Sequence, residues 1–247
     1  MRRLTGTAGV VAVSVLLPAV TCPTPEPPLP PRLASPRFVS MNPAAVRVGG
    51  RYREAISFCW EAPPEDSNRV DNYTVLREIR DSSDTIRTVA VYGIPRDVDC
   101  YFDPIEHVEA PPERTYKNVY YRIFATDTVG EPGDTSDAAC FVLAAPPSMV
   151  SPHDGDTLAP EAFQWRVAGF GDSYDTYMEL FREDSLLWRS DTLRDIFGGL
   201  DDFGNHEMRL PDSLSPLPSG PYAWAVFLDV SVGTYPSSIR VGAFHVR

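Results

Sequence analysis

The chain has 247 residues, of which 34 are acidic and 22 are lysine or arginine, and its formal net charge is −12. Such an acidic surface repels phosphate groups, which argues against nucleic acid and against electrostatic docking on anionic lipid. The 25 prolines and 16 glycines divide the sequence into short apolar stretches, and none has the period of a long amphipathic helix. A chain of this length holds one large or two ordinary domains.

The first predicted element is an export signal over residues 1–21. Arg2 and Arg3 precede an apolar run of about 13 residues, shorter than the roughly 20 residues of a membrane-spanning helix. We therefore expect residues 1–21 to be a signal peptide and the protein to belong to a bacterial cell envelope or to be secreted.

Cys22 follows the apolar run directly, and residues 19–22 resemble the lipobox of bacterial lipoproteins. In that family the cysteine is acylated and becomes the first residue of the mature protein. Ala19 and Thr21 stand where the family usually has leucine and a smaller residue. The resemblance implies lipid attachment at Cys22, which would be the protein's sole membrane contact. The alternative is ordinary cleavage nearby, which would release a secreted protein.

Residues 22–36 are predicted to form a stiff linker after the anchor. Seven prolines lie between positions 23 and 36, and such a segment cannot pack a core. In polyproline II conformation it extends by about 3.1 Å per residue, so it reaches roughly 40 Å. The natural use of this segment is to hold a folded domain away from a membrane.

The first folded unit is predicted over residues 37–146. Apolar residues alternate with polar ones in short runs, which is typical of half-buried strands in a β-sandwich. Further strands are expected at residues 73–79, 85–92 and 140–143. The apolar members of the two clearest strands are Ile56, Phe58 and Trp60 in the first, and Val119, Tyr121, Ile123 and Ala125 in the second.

Residues 60–63, followed by residues 72–75, resemble the early strands of a fibronectin type III domain. Residues 121–127 resemble its late strands. The resemblance covers nearly all of the first unit and implies an antiparallel β-sandwich. At position 119 the family often has a tyrosine where this chain has Val119, so the tyrosine-corner hydrogen bond must be missing or be supplied by another tyrosine.

The second unit is predicted over residues 147–247 and resembles the divergent immunoglobulin-like or fibronectin-like domains of bacterial surface proteins. Trp60 lies 61 residues before Tyr121, and Trp165 lies 57 residues before Tyr222. The similar spacing of a core tryptophan and a core tyrosine favours two related sandwiches in tandem. Because the connecting residues 144–147 are short and proline-rich, we expect the two sandwiches to lie end to end.

Three cysteines remain in the first unit if Cys22 is acylated, and an envelope compartment permits disulfides. The fibronectin resemblance places Cys100 on the strand that pairs with Cys59, which implies a bridge between them and leaves Cys140 free in the opposite sheet. Closing a loop of about 40 residues stabilises a protein by roughly 3 to 4 kcal/mol. The alternative is that all three cysteines stay reduced, and non-reducing mass mapping distinguishes the two cases.

The sequence contains no recognisable catalytic or metal-binding motif. Its four histidines are scattered, and it has no His-Glu-x-x-His, no Cys-x-x-Cys and no Gly-rich phosphate loop. Residues 170–173 imitate the nucleophile block of GDS-type esterases with Ser173, but the matching Asp-x-x-His is missing. Carboxylates at 154–156 and 201–205 are turn residues that lack the EF-hand spacing of a calcium site. We expect no cofactor and no metal.

These observations favour a non-enzymatic cell-envelope lipoprotein that binds or spaces other components. Its partner would be a protein or a polysaccharide of the envelope, contacted through loops or a sheet edge. One alternative is a carbohydrate-binding accessory module, and a remote alternative is an esterase that uses Ser173. The rings that would stack on a sugar are those of Tyr92, Tyr101, Trp188 and Tyr235.

Overall fold

The computed structural model describes residues 32–62, 68–80, 86–108, 110–112, 115–168, 173–196, 203–230 and 236–247. Regular structure in these ranges consists of β-strands and two short 3-10 helices, Ile105–His107 and Asp212–Leu214, without an α-helix. The predicted all-β fold with sandwich-like sheets is confirmed. The predicted signal peptide, Cys22 and most of the predicted linker lie outside the described residues.

Seven strands of the first half form two sheets that face each other. The sheet β1-β2-β5 lies over the strands β4-β3-β6-β7, and both contribute alternate side chains to a core that includes Phe58, Trp60 and Tyr121. The bounds are β1 Arg37–Val48, β2 Arg51–Glu61, β3 Val70–Arg80, β4 Ile86–Pro95, β5 Cys100–Pro104, β6 Tyr116–Asp127 and β7 Ala139–Ala144.

The second half repeats this arrangement. The sheet β8-β10-β14 lies over β12-β11-β15-β16, with the short β9 and β13 added to the second sheet. Its core contains Trp165, Tyr222 and Trp224, so each half buries both members of its predicted tryptophan–tyrosine pair. The bounds are β8 Ser148–Ser151, β9 Asp156–Thr157, β10 Ala162–Ala168, β11 Ser173–Arg182, β12 Ser185–Arg189, β13 Leu193–Ile196, β14 Phe203–Arg209, β15 Gly220–Val230 and β16 Pro236–Val246.

A tyrosine corner is present in the second half. The Tyr222 hydroxyl donates a hydrogen bond to the backbone oxygen of Pro218, four residues upstream, over 2.8 Å. In the first half the hydroxyl of Tyr121 donates instead to the Asp103 carboxylate over 2.8 Å. The first half therefore uses its core tyrosine to satisfy a buried acid rather than to close a corner.

The two halves are joined side by side, so the expected end-to-end arrangement is wrong. β16 pairs in parallel with β7 through Pro236↔Val142 and Ser237↔Leu143, which merges the two larger sheets into one sheet of ten strands. The Ser238 hydroxyl also donates to the backbone oxygen of Ala145 over 3.2 Å. The edge of β7 is thus paired with β16 at Val142 and Leu143, and Arg32–Arg247 form one compact unit.

A long two-stranded ribbon, formed by β1 and β2, reinforces this junction. The two strands have 12 and 11 residues, about twice the usual strand length, and pair from Arg37↔Glu61 to Val48↔Arg51. Gly49 and Gly50 have positive φ angles of 59° and 82° and close the turn. Beyond the first core the ribbon lies over the outer face of β15 and β16.

The apolar surface that the ribbon covers belongs to the second half of the chain. One continuous core contains first-half residues such as Ile56 and Phe58 together with five residues of the second half. The ring of Tyr52 on the ribbon lies 4.4 Å from that of Phe181. The second-half members of this core are Phe181, Ala223, Ala225, Phe227 and Ile239.

The folded body begins earlier than the predicted boundary at residue 37. Leu33 is only 2% exposed and belongs to the first core. Its backbone oxygen accepts a hydrogen bond from the Asp134 amide over 2.9 Å, and a Cβ added to Gly133 would lie 2.7 Å from the Leu33 Cβ. The last residues of the predicted 22–36 linker are therefore packed, because Leu33 is large enough to fill a core position.

Candidate functional site

The cysteines lie as the fibronectin resemblance implied. Cys59 and Cys100 are register partners on β2 and β5, and a disulfide joins them. Cys140 is the free cysteine of the described chain and lies on β7 in the opposite sheet. Burial raises the pKa of its thiol, and a hydrogen bond with Tyr120 partly opposes that shift, so less of the reactive thiolate forms than at an ordinary cysteine.

An open groove of about 770 Å³ lies where the turn end of the ribbon meets β15 and β16. This volume lies within the range of ligand pockets in proteins. Apolar groups of Tyr52, Tyr222 and Ala223 line it together with the backbone of β16, and charged side chains of the ribbon form much of its remaining wall. We call this surface the junction groove.

Two carboxylates occupy the backbone edge of β16 inside the junction groove. The amide of Val241 donates to Glu54 over 3.1 Å, and the amide of Ala243 donates to Asp154 over 2.9 Å. These donors lie in the stretch between the β7 and β9 pairings of β16. Side chains from the ribbon and from the Asp154 turn thus satisfy amides that would otherwise form a free strand edge.

Glu54 is the most strongly buried acid of the groove lining. Burial raises the pKa of its carboxyl, while the Arg240 guanidinium and the Val241 amide oppose the shift. The Arg240 Nη1 lies 3.5 Å from the carboxylate. Because desolvation is the largest of these effects, Glu54 takes up a proton more readily in the folded chain than in the unfolded chain.

Three arginines of the ribbon line the junction groove with different partners. Arg53 donates to both oxygens of Glu106 over 2.7 and 2.9 Å, and Arg47 forms an ion pair with Asp184. Arg51 is exposed and has no ion-pair partner within the described ranges. The groove therefore offers one available guanidinium, several satisfied charges and an apolar floor, which suits a polar, partly apolar ligand rather than a reaction.

A smaller cavity of about 390 Å³ lies under the ribbon near Asn42. The ring of Tyr177 stacks on that of Phe227 at 4.6 Å, and burial, followed by the charge of Glu179, raises the pKa of Tyr177 to about 12. Arg189 forms an ion pair with Glu179 beside the ring. Ribbon residues 42–45 line the cavity together with these side chains, so the cavity belongs to the joint between the halves.

A charged cluster inside the first core was not expected from the sequence. Arg77 donates to both oxygens of Asp103 over 2.5 and 2.7 Å, Tyr121 donates to the same carboxylate, and the His107 Nδ1 lies 3.5 Å away. Burial and the charge of Asp103 raise the pKa of Tyr121 well above its usual range. The available signal was the position of Arg77, which falls on the inward face of a strand between apolar residues.

The histidines do not converge on one another. His206 lies 2.8 Å from the Tyr174 hydroxyl and stacks on Trp165, while His153 lies 3.6 Å from Asp156. Within the described ranges, no group of three or more His, Cys, Asp or Glu side chains could hold a metal ion. The Ser173 side chain and residues 171–172 of the esterase alternative lie outside the described residues.

The Asp154–Asp156 segment is used as a turn. Asp154 accepts the Ala243 amide, and Asp156 accepts the His153 amide over 2.7 Å. The carboxylates that were considered for calcium thus cap backbone amides, as Asp commonly does in turns. Residues 201–202 of the other considered calcium segment lie outside the described residues.

The aromatic residues considered for sugar binding do not form a common platform where they are described. The ring of Tyr101 lies 5.7 Å from that of Phe58 in the first core, and Trp188 packs against the second core. The side chain of Tyr92 and all of Tyr235 lie outside the described residues. Tyr101 and Trp188 therefore serve different cores, and no observation favours the carbohydrate alternative.

No protein-family model matches the chain, and no curated protein matches it. Among solved structures, the FN1–FN3 domains of chicken CNTN1 align with 12% sequence identity and a TM-score of 0.29, over 88% of this chain and 66% of that chain. The chicken interferon gamma receptor alpha chain aligns with 10% identity and a TM-score of 0.27, over 87% of this chain and 98% of that chain. This chain thus spans just under two thirds of the CNTN1 structure.

Both TM-scores are below 0.5, so the all-β assignment rests on the strands and sheets of this chain. None of the helices in the described part of the chain has the length and apolar character needed to cross a membrane.

Proposed function

We propose that this protein is a non-enzymatic lipoprotein of a bacterial cell envelope, which binds a partner through the junction groove. The acylated Cys22 anchors the chain, and the proline-rich segment after it spaces the folded body from the membrane. The observation that carries the proposal is the joint between the halves, where a shared sheet and the ribbon hold a groove in a fixed shape. Fibronectin type III-like folds commonly serve as binding or spacer modules.

A fixed groove favours binding because little conformational entropy is lost when a partner docks on a preformed surface. The polar contacts described above also support a non-enzymatic role. Asp103, His206 and Asp154 all engage structural neighbours, so these groups are committed to holding the fold. A protein partner suits the groove best, because its apolar lining and the exposed Arg51 can contact the apolar and acidic side chains of a polypeptide.

The anchor is tested by comparing the parent chain with Cys22→Ser in a bacterial host. We expect the parent to fractionate with membranes and its N-terminal peptide to carry acyl chains by mass spectrometry. Cys22→Ser should move to the soluble fraction, because two or more acyl chains are what make membrane attachment stable. An unmodified Cys22 in the mature parent would overturn the anchoring part of the proposal.

The groove is tested with a photo-crosslinking amino acid placed at Arg51 in intact cells. The matched control carries the same amino acid at Val129, which is 76% exposed on the turn after β6, outside the groove lining. We expect one defined crosslinked protein from position 51 and none shared with position 129. Identical crosslinking patterns from both positions would count against the groove as the binding surface.

A further inference from the structure

The ten-stranded sheet ends at β4, which is a long outer strand. β4 has 10 residues, whereas strands usually have five or six. Within the described ranges β3 is the only strand that pairs with it, so the backbone donors and acceptors of its other edge have no strand partner there. Such an edge is a template for pairing with another chain.

The regular part of this edge covers residues 86–91. Its register against β3 runs without interruption from Arg80↔Ile86 to Val75↔Val91 and resumes at Tyr73↔Ile94. The extra residue there is a bulge, and Gly93 adopts a positive φ of 72°. The straight segment that remains is six residues long, and Val89 lies near its middle.

The other edges of the sheet are short, bulged or covered, whereas this segment carries one charged residue, Arg87, as its single obstacle to pairing. The opposite outer strand, β12, has only 5 residues and a bulge opposite Leu180 and Phe181. The free stretch of β16 is filled by the Glu54 and Asp154 carboxylates. Residues 86–91 contain no proline, no lysine and no acidic residue, and four of the six are β-branched.

We propose that β4 is a self-association edge, at which a second copy of this chain pairs antiparallel about a two-fold axis through Val89. In this register position 88 lies opposite position 90, and Arg87 lies opposite position 91. Such a contact is isologous, because each copy uses the same segment.

Charge favours a second copy at this edge. The net charge of −12 makes two copies repel each other wherever acidic surfaces meet. Residues 86–91 have no acid, and their one charge, Arg87, falls opposite a neutral residue. A strand pair of six residues spans about 20 Å, less than a standard interface needs. The dimer is therefore weak and forms at high local concentration, as on a membrane surface.

Cysteine crosslinking tests the register. The full chain carries Cys22→Ser and Cys140→Ser, which leaves Cys59 and Cys100 joined in their disulfide. Val89→Cys in this background places one thiol at the two-fold axis, and mild oxidation should yield about tenfold more covalent dimer than Ala90→Cys or Leu187→Cys. Leu187 is 37% exposed on β12 and controls for random collision.

Sedimentation equilibrium tests the association itself from about 10 μM to about 1 mM protein. The parent chain should gain mass toward a dimer, and Thr88→Lys, an exposed position, should remain a monomer because it adds charge beside Arg87. Equal crosslinking from positions 89, 90 and 187, or a monomeric parent throughout, would overturn the proposal. Unchanged dimerisation of Thr88→Lys would overturn it as well.

Discussion

At the scale of single residues, the buried contacts of Asp103 matter most to the first half. Its carboxylate is 3% exposed and is held by Arg77 and by the Tyr121 hydroxyl. Removing one member of a buried ion pair leaves an uncompensated charge, which costs far more than losing a surface pair. Arg53 and Glu106 form a comparable bidentate pair that is about half exposed.

We expect Asp103→Ala to lower the free energy of unfolding by about 3 to 5 kcal/mol, measured by urea denaturation. The matched surface change, Glu106→Ala, should cost no more than about 1 kcal/mol. The double change Arg77→Met with Asp103→Leu should recover much of the loss, because it removes both charges. Equal effects of Asp103→Ala and Glu106→Ala would show that the buried pair contributes no more than an exposed one.

Alternation of apolar and polar residues predicted correctly which side chains of β2 and β6 are buried. It did not predict that the Arg77 side chain is buried, because a charged side chain is tolerated at an inward position only when another strand supplies an acid. That acid, Asp103, lies 26 residues away, and short-range patterns carry no information about such a pairing. Leu33 was missed for a similar reason, since its neighbours are prolines and its packing partner is Gly133.

At the scale of elements, the ribbon determines how the halves are joined. The sequence predicts the C-terminal half of β2, around Phe58 and Trp60, but it predicts no strand over residues 37–48. β1 contains Pro43 and alternates weakly, and much of the surface it packs on belongs to the other half of the chain. A strand whose partner is distant in sequence leaves little local signal.

The stability that the Glu54 contact between the ribbon and β16 contributes depends on pH. The pKa of Glu54 is raised on folding, so its contribution to stability is fully present below the unfolded pKa, near 4.5, and is lost as the pH rises through the folded pKa. Glu54→Gln keeps an acceptor for the Val241 amide but cannot titrate. The stability of Glu54→Gln relative to the parent should therefore increase from pH 4.5 to pH 7.5, a window that starts at the ordinary pKa of Glu.

Urea denaturation of the parent and Glu54→Gln at several pH values in this window provides the measurement. Glu207→Gln serves as the control, because that glutamate is exposed on β14, remote from the ribbon. A difference between the parent and Glu54→Gln that stays constant with pH would contradict a raised pKa. So would a difference that shrinks as the pH rises.

At the scale of the whole molecule, the tandem pair of sandwiches was predictable but its joint was not. The missed signal is in β15, where residues 222–228 are all buried. Trp224, Val226 and Leu228 point into the second core, while Ala225 and Phe227 belong to the core shared with the ribbon. A strand that is apolar on both faces must be covered on both sides, which a free-standing sandwich does not do.

We expect residues 147–247, expressed alone, to be poorly soluble and to bind a hydrophobic dye, because the surface normally under the ribbon is uncovered. Co-expression with residues 32–146 should restore a soluble complex. As a matched control, Phe181→Thr with Phe227→Thr should make the isolated fragment more soluble. A monomeric fragment with dispersed amide resonances in NMR spectra would contradict the dependence of this half on the ribbon.

The seam between β7 and β16 has a consequence for how the chain matures. β7 and β16 are separated by about 90 residues of chain. These residues must be synthesised before the two strands can pair. Contacts of such large sequence separation slow folding. Until the final strand emerges, the growing polypeptide therefore carries an incomplete sheet and an uncovered ribbon, and this interval is when chaperones and proteases compete for it.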